Sequence, residues 1–324
     1  MHGSKFPRFI CIAILLFSAS GALAQSGPSL LIKPWPKEQF IESSTDALFF
    51  FDTKVKENGN QYNLTTYESL GRIRLLPGNI ASPRIGYEIT YLDIESDDPR
   101  IPTHLSDQSI GAGFAFAKFE GWIAGATLGV GYAGDTPFAD GAAWYGKATV
   151  ILFKEINENH SLGVALDYDG NRTFMPDIPL PGIEYSFKLP ERSLQLVVGA
   201  PVNALIWDGM DKVKVEATYT MLSRFDARIS YEWARHISIF GRLESRELAF
   251  SLDELEEKND RLLYYQRRVE LGVFWTPYKF LNVVMAGGYS FNQEFGIGWD
   301  SRGNDTFARI DDTPYGRFGL ELRF

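Results

Sequence analysis

Cysteine is almost absent from this chain. A single thiol, Cys11, in 324 residues excludes a disulfide-stapled scaffold. No run of 18 or more uninterrupted apolar residues occurs, so a bundle of transmembrane helices is excluded. Gly-rich phosphate loops, zinc-ligand spacings and haem-attachment motifs are missing too. Basic residues are outnumbered, with 32 Lys and Arg against 41 Asp and Glu and a net charge of −9. That balance argues against a nucleic-acid binder, which would carry a basic patch. The 30 glycines show no triplet period, and no heptad is sustained, which removes collagen-like and coiled-coil chains. At 45% hydrophobic and 14% aromatic, the chain is too apolar to stay disordered.

What is present begins with an export signal. Lys5 and Arg8 precede an apolar run from Phe9 to Phe17, and Ala22-Leu23-Ala24 forms a small-x-small site before Gln25. The run is too short for a spanning helix, which needs roughly 20 apolar residues. Cys11 lies within the run, so it does not mark a lipoprotein cleavage site. Residues 1–24 are therefore expected to be a cleaved signal peptide. Their loss removes Cys11, Lys5 and Arg8 and takes the net charge to −11. Residues 25–45, with Pro34 and Pro36 and no periodicity, are expected to be a short periplasmic extension, too short for a plug domain.

From Asp46 onward the hydropathy alternates with a period of two. Phe225, Ala227, Ile229, Tyr231 and Trp233 fall on one face, and Arg224, Asp226, Arg228, Ser230 and Glu232 on the other. Val213, Val215, Ala217 and Tyr219 alternate with Lys212, Lys214, Glu216 and Thr218 in the same way, and Val269, Leu271, Val273 and Trp275 with Arg268, Glu270 and Gly272. Only strands put successive side chains on opposite faces. Many segments are about ten residues long, enough to cross a bilayer as a tilted strand. The parse gives 16 strands, with 12 or 14 surviving if the proline-interrupted region 182–220 folds otherwise. Short connections (Gly78 to Ser82, Glu120-Gly121, Lys154 to Asn157, Pro190 to Arg192, Asp208 to Asp211, Ala234-Arg235, Thr276 to Lys279) alternate with long polar ones (57–66, 94–107, 134–141, 169–181, 251–260, 293–315). Trp122, Trp207, Trp233 and Trp275 sit beside short turns, where a membrane interface favours them. These features predict an all-β fold: a transmembrane antiparallel up-and-down β-barrel over residues 46–324, in the outer membrane, with short periplasmic turns and long extracellular loops. A soluble exported all-β binding protein is the competing class.

The C-terminus carries a further signature. Arg317, Gly319, Leu322 and Phe324 have the polar-x-Gly-x-x-apolar-x-aromatic spacing of the last strand of outer-membrane proteins, through which the barrel-assembly machinery is expected to engage the chain. Together with Pro179-Leu180-Pro181-Gly182-Ile183-Glu184-Tyr185, Gly199-Ala200-Pro201-Val202-Asn203 and Arg261-Leu262-Leu263-Tyr264-Tyr265-Gln266-Arg267-Arg268, this strand resembles a family of bacterial outer-membrane β-barrel proteins without an assigned activity. The resemblance is carried by motifs in the second half of the chain and by pattern alone in the first. It implies a fold and a location, and no reaction.

The polar faces supply the candidate lumen lining: Lys212, Lys214, Glu216, Arg224, Asp226, Arg228, Glu232, Arg242, Glu244, Arg246, Arg268 and Glu270. Mixed charge suits a selectivity lining for small polar solutes and equally a network that closes the pore. Lipids and lipopolysaccharide are the expected surroundings. The acidic stretches Asp93 to Asp98 and Asp253 to Asp260 match no calcium-loop spacing and read as solvated loops, so no metal or other cofactor is expected. An enzyme reading rests on His236-Ile237-Ser238, the His-x-Ser spacing of outer-membrane lipid hydrolases. A serine nucleophile needs an adjacent base and a group to orient it. Here the pair lies at the predicted periplasmic end and on the lumen register, away from the outer leaflet, so the chain is read as a non-enzyme.

Overall fold

The computed structural model describes residues 39–324 except 77–81, 221–223, 253–254 and 256–258. The proposed signal peptide and most of the 25–45 extension lie outside the described residues. Among those described, eighteen strand segments and one short 3₁₀ turn make a single closed antiparallel sheet. The strands are β1 (Ile41–Phe50), β2 (Thr53–Lys54), β3 (Gln61–Arg74), β4 (Arg84–Ser96), β5 (His104–Phe119), β6 (Trp122–Gly134), β7 (Trp144–Asn157), β8 (His160–Asp169) and β9 (Leu180–Leu189). They continue as β10 (Leu194–Ala200), β11 (Val202–Met210), β12 (Val213–Thr220), β13 (Arg224–Ala234), β14 (Ile237–Phe250), β15 (Arg261–Tyr278), β16 (Leu281–Gly298), β17 (Asp305–Ile310) and β18 (Thr313–Arg323). β2 prolongs the course of β1, and β17 that of β18, so the wall has 16 staves. The first and last staves pair from Glu42↔Arg323 to Phe50↔Tyr315 and seal the cylinder. Closure pairs the first stave with the last, which is the condition for a sheet to stand in lipid.

One end of the barrel is built from tight turns. Glu120 (φ 47°) and Gly121 (φ 81°) are both left-handed, the two-residue turn whose twist matches antiparallel strands. The chain ends meet there as well: the Phe40 amide donates to the Phe324 carbonyl and the Phe324 amide to the Ile41 carbonyl (2.9 Å). The opposite end carries the longer connections 97–103, 135–143, 170–179, 251–260 and 299–304.

Three sequence expectations shift. The barrel begins at Ile41, five residues before the expected boundary. Polar Ser43 and Thr45 on its outer face, bonded to Tyr87 (3.1 Å) and Ser69 (2.9 Å), hide the alternation. Second, much of the expected loops 57–66, 94–107 and 293–315 is strand: β3 starts at Gln61, β4 runs to Ser96, β5 starts at His104 and β16 continues to Gly298. Third, loop-end connections are not all long, because Pro201 alone joins β10 to β11. β10, β11 and β12 are only 7, 9 and 8 residues long, against 18 for β15 and β16. The wall is therefore low on one side and high on the other.

Candidate functional site: the barrel interior

The two faces of the wall invert the usual distribution of a soluble domain. On the outside, Leu271 is 74% and Trp233 67% exposed, while on the inside Arg268 is 4% and Glu244 2% exposed. An apolar exterior band around a charged, buried interior is stable only with hydrocarbon as its solvent. The protein is an integral outer-membrane β-barrel. The turn end is then periplasmic and the loop end extracellular. Trp122, Trp207, Trp233 and Trp275 all stand within a few residues of the periplasmic turns, at the level of an aromatic girdle.

The interior has three zones. A charge network fills the middle of the sector from β12 through β18 and β1 to β3. Glu216 accepts from Lys214 (2.7 Å) and Arg228 (2.5 Å). Arg242 donates through Nε to Asp226 (3.0 Å) and lies 3.3 Å from Glu244 and 3.5 Å from Glu270. Glu244 also receives Arg224 and Arg268, and Arg268 approaches Glu68 on β3 (3.7 Å). Arg246 bonds Glu68 and Thr90 (2.8 Å) across the lumen. Arg317 joins Asp46 (3.0 Å) to Glu270 (2.5 Å), and the Tyr315 hydroxyl donates to Glu270 (2.9 Å). Seven cations face six anions in this network. Near-neutrality is what lets so many ionised groups stay buried, since each alone would cost several kcal/mol of desolvation.

Above the charges lies an apolar plug. Leu48, Phe50, Leu64, Leu92, Phe250 and Phe295 point inward and are fully or almost fully buried. Here the inner face of the wall is greasy, because the lumen is a dry core at this height. β14 reaches the opposite wall: the Ser251 amide just beyond it donates to the Ala133 carbonyl on β6, half-way round the ring (3.0 Å).

The loop 170–179 lies over this junction as a lid. Arg261 on β15 donates to Asn171 Oδ1 (3.3 Å) and to the carbonyls of Arg172 and Trp299 (2.9 Å each). Asn171 in turn donates to Asp107 (3.2 Å) and to the Ala249 carbonyl (3.1 Å). The Ser301 amide bonds the Thr173 carbonyl (2.8 Å), and Asp300 accepts from the Met175 amide (3.3 Å) and from Arg302 Nε (2.8 Å). Burial pulls the Asp300 carboxyl upward, but these donors outweigh it and leave the group below its usual range.

The third zone is different. Along β9, Ile183 and Tyr185 face out and are exposed, whereas the inward Gly182, Glu184, Ser186 and Lys188 keep intermediate exposure. The inward Gln195, Val197, Ala204, Ile206 and Thr218 of β10 to β12 do likewise. In a closed barrel, surface that is inward-facing and still accessible belongs to water inside the lumen.

Ten of the twelve candidate lumen residues (Lys214, Glu216, Arg224, Asp226, Arg228, Arg242, Glu244, Arg246, Arg268 and Glu270) lie in the charge network. Lys212 does not: it is an exposed turn residue with φ 63°. Glu232 holds the inward register opposite Ser238 but is exposed at the periplasmic mouth. Sequence reasoning missed Asp46 and Glu68, the anions that complete the network, and a separate group in which Lys147 pairs with Asp169 (3.4 Å) beside Asp107. The structure does not place His236 and Ser238 on one strand face as the sequence suggested. His236 occupies the turn at φ 69°, exposed, while Ser238 turns inward on β14, and no hydrogen bond joins their side chains among the described residues. In the 97–103 loop, Asp98 is engaged by Arg100 (2.6 Å) and Asn58 (2.7 Å). The Arg100 bonds hold its carboxyl well below the usual carboxylate range.

No family model and no curated protein sequence matches the chain. Among solved structures it is similar to the Pseudomonas putida toluene transporter TodX, at 8% identity and a TM-score of 0.40 over 94% of both chains. It is also similar to an outer membrane channel from Pseudomonas putida F1, at 11% identity and a TM-score of 0.36 over 90% of this chain and 100% of that one. Pseudomonas aeruginosa OpdQ gives 9% identity and a TM-score of 0.37 over 90% and 99%. Likenesses this remote carry no functional weight.

Proposed function

We propose that the protein is a porin-like channel for small polar solutes, with its path along the water-accessible side of the lumen from β8 to β12 and its outer mouth covered by the 170–179 lid. The observation that carries this reading is that the inward residues of β9 to β11 all keep intermediate exposure, whereas the ion-paired and plugged remainder of the interior also holds fully buried groups such as Glu244, Arg268, Phe250 and Phe295. The network and the plug narrow the barrel to one sector, so the expected conductance is small for a wall of 16 staves. Arg261 is the cross-mouth clamp, and Arg261→Ala should raise the open fraction in planar bilayers. Silence of both the wild type and the variant would favour the second reading, a closed structural barrel, for which the Ser251–Ala133 contact between opposite walls speaks.

The surfaces support a proposal for the partners. The outer apolar band is assigned to lipid and the extracellular rim to lipopolysaccharide. Arg317, Gly319, Leu322 and Phe324 are assigned to engagement by the barrel-assembly machinery before β18 closes on β1.

A further inference from the structure

The inward acids of the barrel middle have cationic or hydrogen-bonding neighbours. Glu68, Glu216, Glu244 and Glu270 lie in the network, Asp107 accepts from Asn171 and Tyr145, and Glu88 lies in the field of Lys147. Glu184 on β9 is different. No ion pair or hydrogen bond reaches its carboxylate among the described residues. Its cross-strand neighbours on both sides are glycines, Gly163 on β8 and Gly199 on β10. The carboxylate lies over Gly163, where an added Cβ would stand 3.0 Å from Glu184 Oε1. At Gly199 an added Cβ would stand 2.9 Å from the Glu184 Cα. Two bare neighbours therefore put no side chain beside the carboxylate, and Glu184 keeps intermediate exposure on the inward face. The same inward surface carries Phe153 in register with Gly163, and Ile151, Val197 and Ile206.

We infer that Glu184 is the recognition site of the water-accessible passage and that its ligand is a small organic cation, an ammonium group with an apolar body. An unpaired carboxylate held in a lumen surface of Phe, Ile and Val offers charge to the head and dispersion contact to the body. A purely inorganic cation would gain nothing from the apolar residues, and an anion would be repelled. The inference rests on the channel reading above and specifies what that channel selects.

The test uses the full-length barrel refolded into planar bilayers, with Glu184→Gln as the variant and equal heat-modifiable gel migration as the folding control. Under a KCl gradient the wild type should prefer K⁺ over Cl⁻, and butylammonium chloride should block its current. A unit charge at about 7 Å in a water-like medium is worth roughly RT to each ion, attracting K⁺ and repelling Cl⁻, so the preference should weaken about sevenfold and the block about threefold in the variant. An unchanged reversal potential together with unchanged block, in a conducting variant, would overturn the assignment of Glu184 and leave the channel standing. A silent wild type would overturn the channel and the assignment with it. Accessibility is read separately in a background with Cys11 replaced by Ser. Glu184→Cys should react with a water-soluble cationic thiol reagent, whereas Ala308→Cys, fully buried in the plug, should not. Equal protection of both positions would refute the open passage.

Discussion

Glu244→Gln should be among the most damaging conservative substitutions in this barrel. The carboxylate is 2% exposed and receives Arg224, Arg268 and Arg242 from three adjacent strands, β13, β15 and its own β14. An amide of the same shape retains one acceptor but removes the charge that the three guanidiniums share. Arg242 keeps Asp226 and Glu270, and Arg268 keeps Glu68 at 3.7 Å, so part of the imbalance is absorbed. Breaking a buried pair from one side costs about 3–5 kcal/mol. The surviving partners bring the expectation to the lower end, about 3 kcal/mol. The assay is urea unfolding in lipid vesicles followed by tryptophan fluorescence, where this loss appears as a lower midpoint at unchanged slope. Glu232→Gln, exposed at the periplasmic mouth, is the internal control and should stay within about 0.5 kcal/mol. Adding Arg268→Met to Glu244→Gln should recover part of the loss, because removing both charges ends the mismatch. Equal midpoints for Glu244→Gln and Glu232→Gln would refute the claim that the network is a mutually dependent unit.

Two further outcomes can be checked independently. Arg100 holds the Asp98 carboxyl below its usual range, so the ionised form persists as pH falls past the unfolded value of about 3.9 and is lost only in stronger acid. Hydrogen exchange of the Arg100 amide, which donates to Asp98 Oδ1 (3.1 Å), should keep its protection from pH 7 to pH 4, and Asp98→Asn should weaken it. Phe324 stacks on Phe280 (4.8 Å) at the periplasmic rim, so Phe324→Leu should cost only about 1 kcal/mol in refolded barrels. Its yield in outer membranes should fall several-fold if the residue is read by the assembly machinery, and equal yields would remove that role.

The staves were legible wherever the outer face is apolar and the inner face charged. From β12 to β15 the alternation at Arg224–Trp233 and Arg268–Trp275 set both the strand and the side of the wall. Hydropathy stopped discriminating inside from outside where the lumen is dry. Leu48, Leu64 and Leu92 face inward, and a period-two reading alone places such residues in lipid. β1 began too late in the sequence because Ser43 and Thr45 are polar on the outer face. Asp46 and Glu68 were invisible as network members because their partners lie on β14, β15 and β18, far along the chain and adjacent only after closure. The lid contacts of Arg261 have the same origin: a loop after β8 meets a strand seven staves away, and no local pattern encodes that meeting.

The uneven height of the wall sets how the molecule sits among lipids. At about 3.4 Å per residue and a tilt of about 40°, the seven residues of β10 rise about 18 Å, short of the roughly 25 Å apolar band of an outer-membrane barrel, while the 18 of β15 rise beyond it. Acyl chains beside Leu196 and Val198 must compress or the cylinder must lean toward that flank, and either response carries a mismatch cost. Either response is centred on the flank that holds the proposed passage, which gives the barrel a preferred azimuth relative to neighbours that share the distortion.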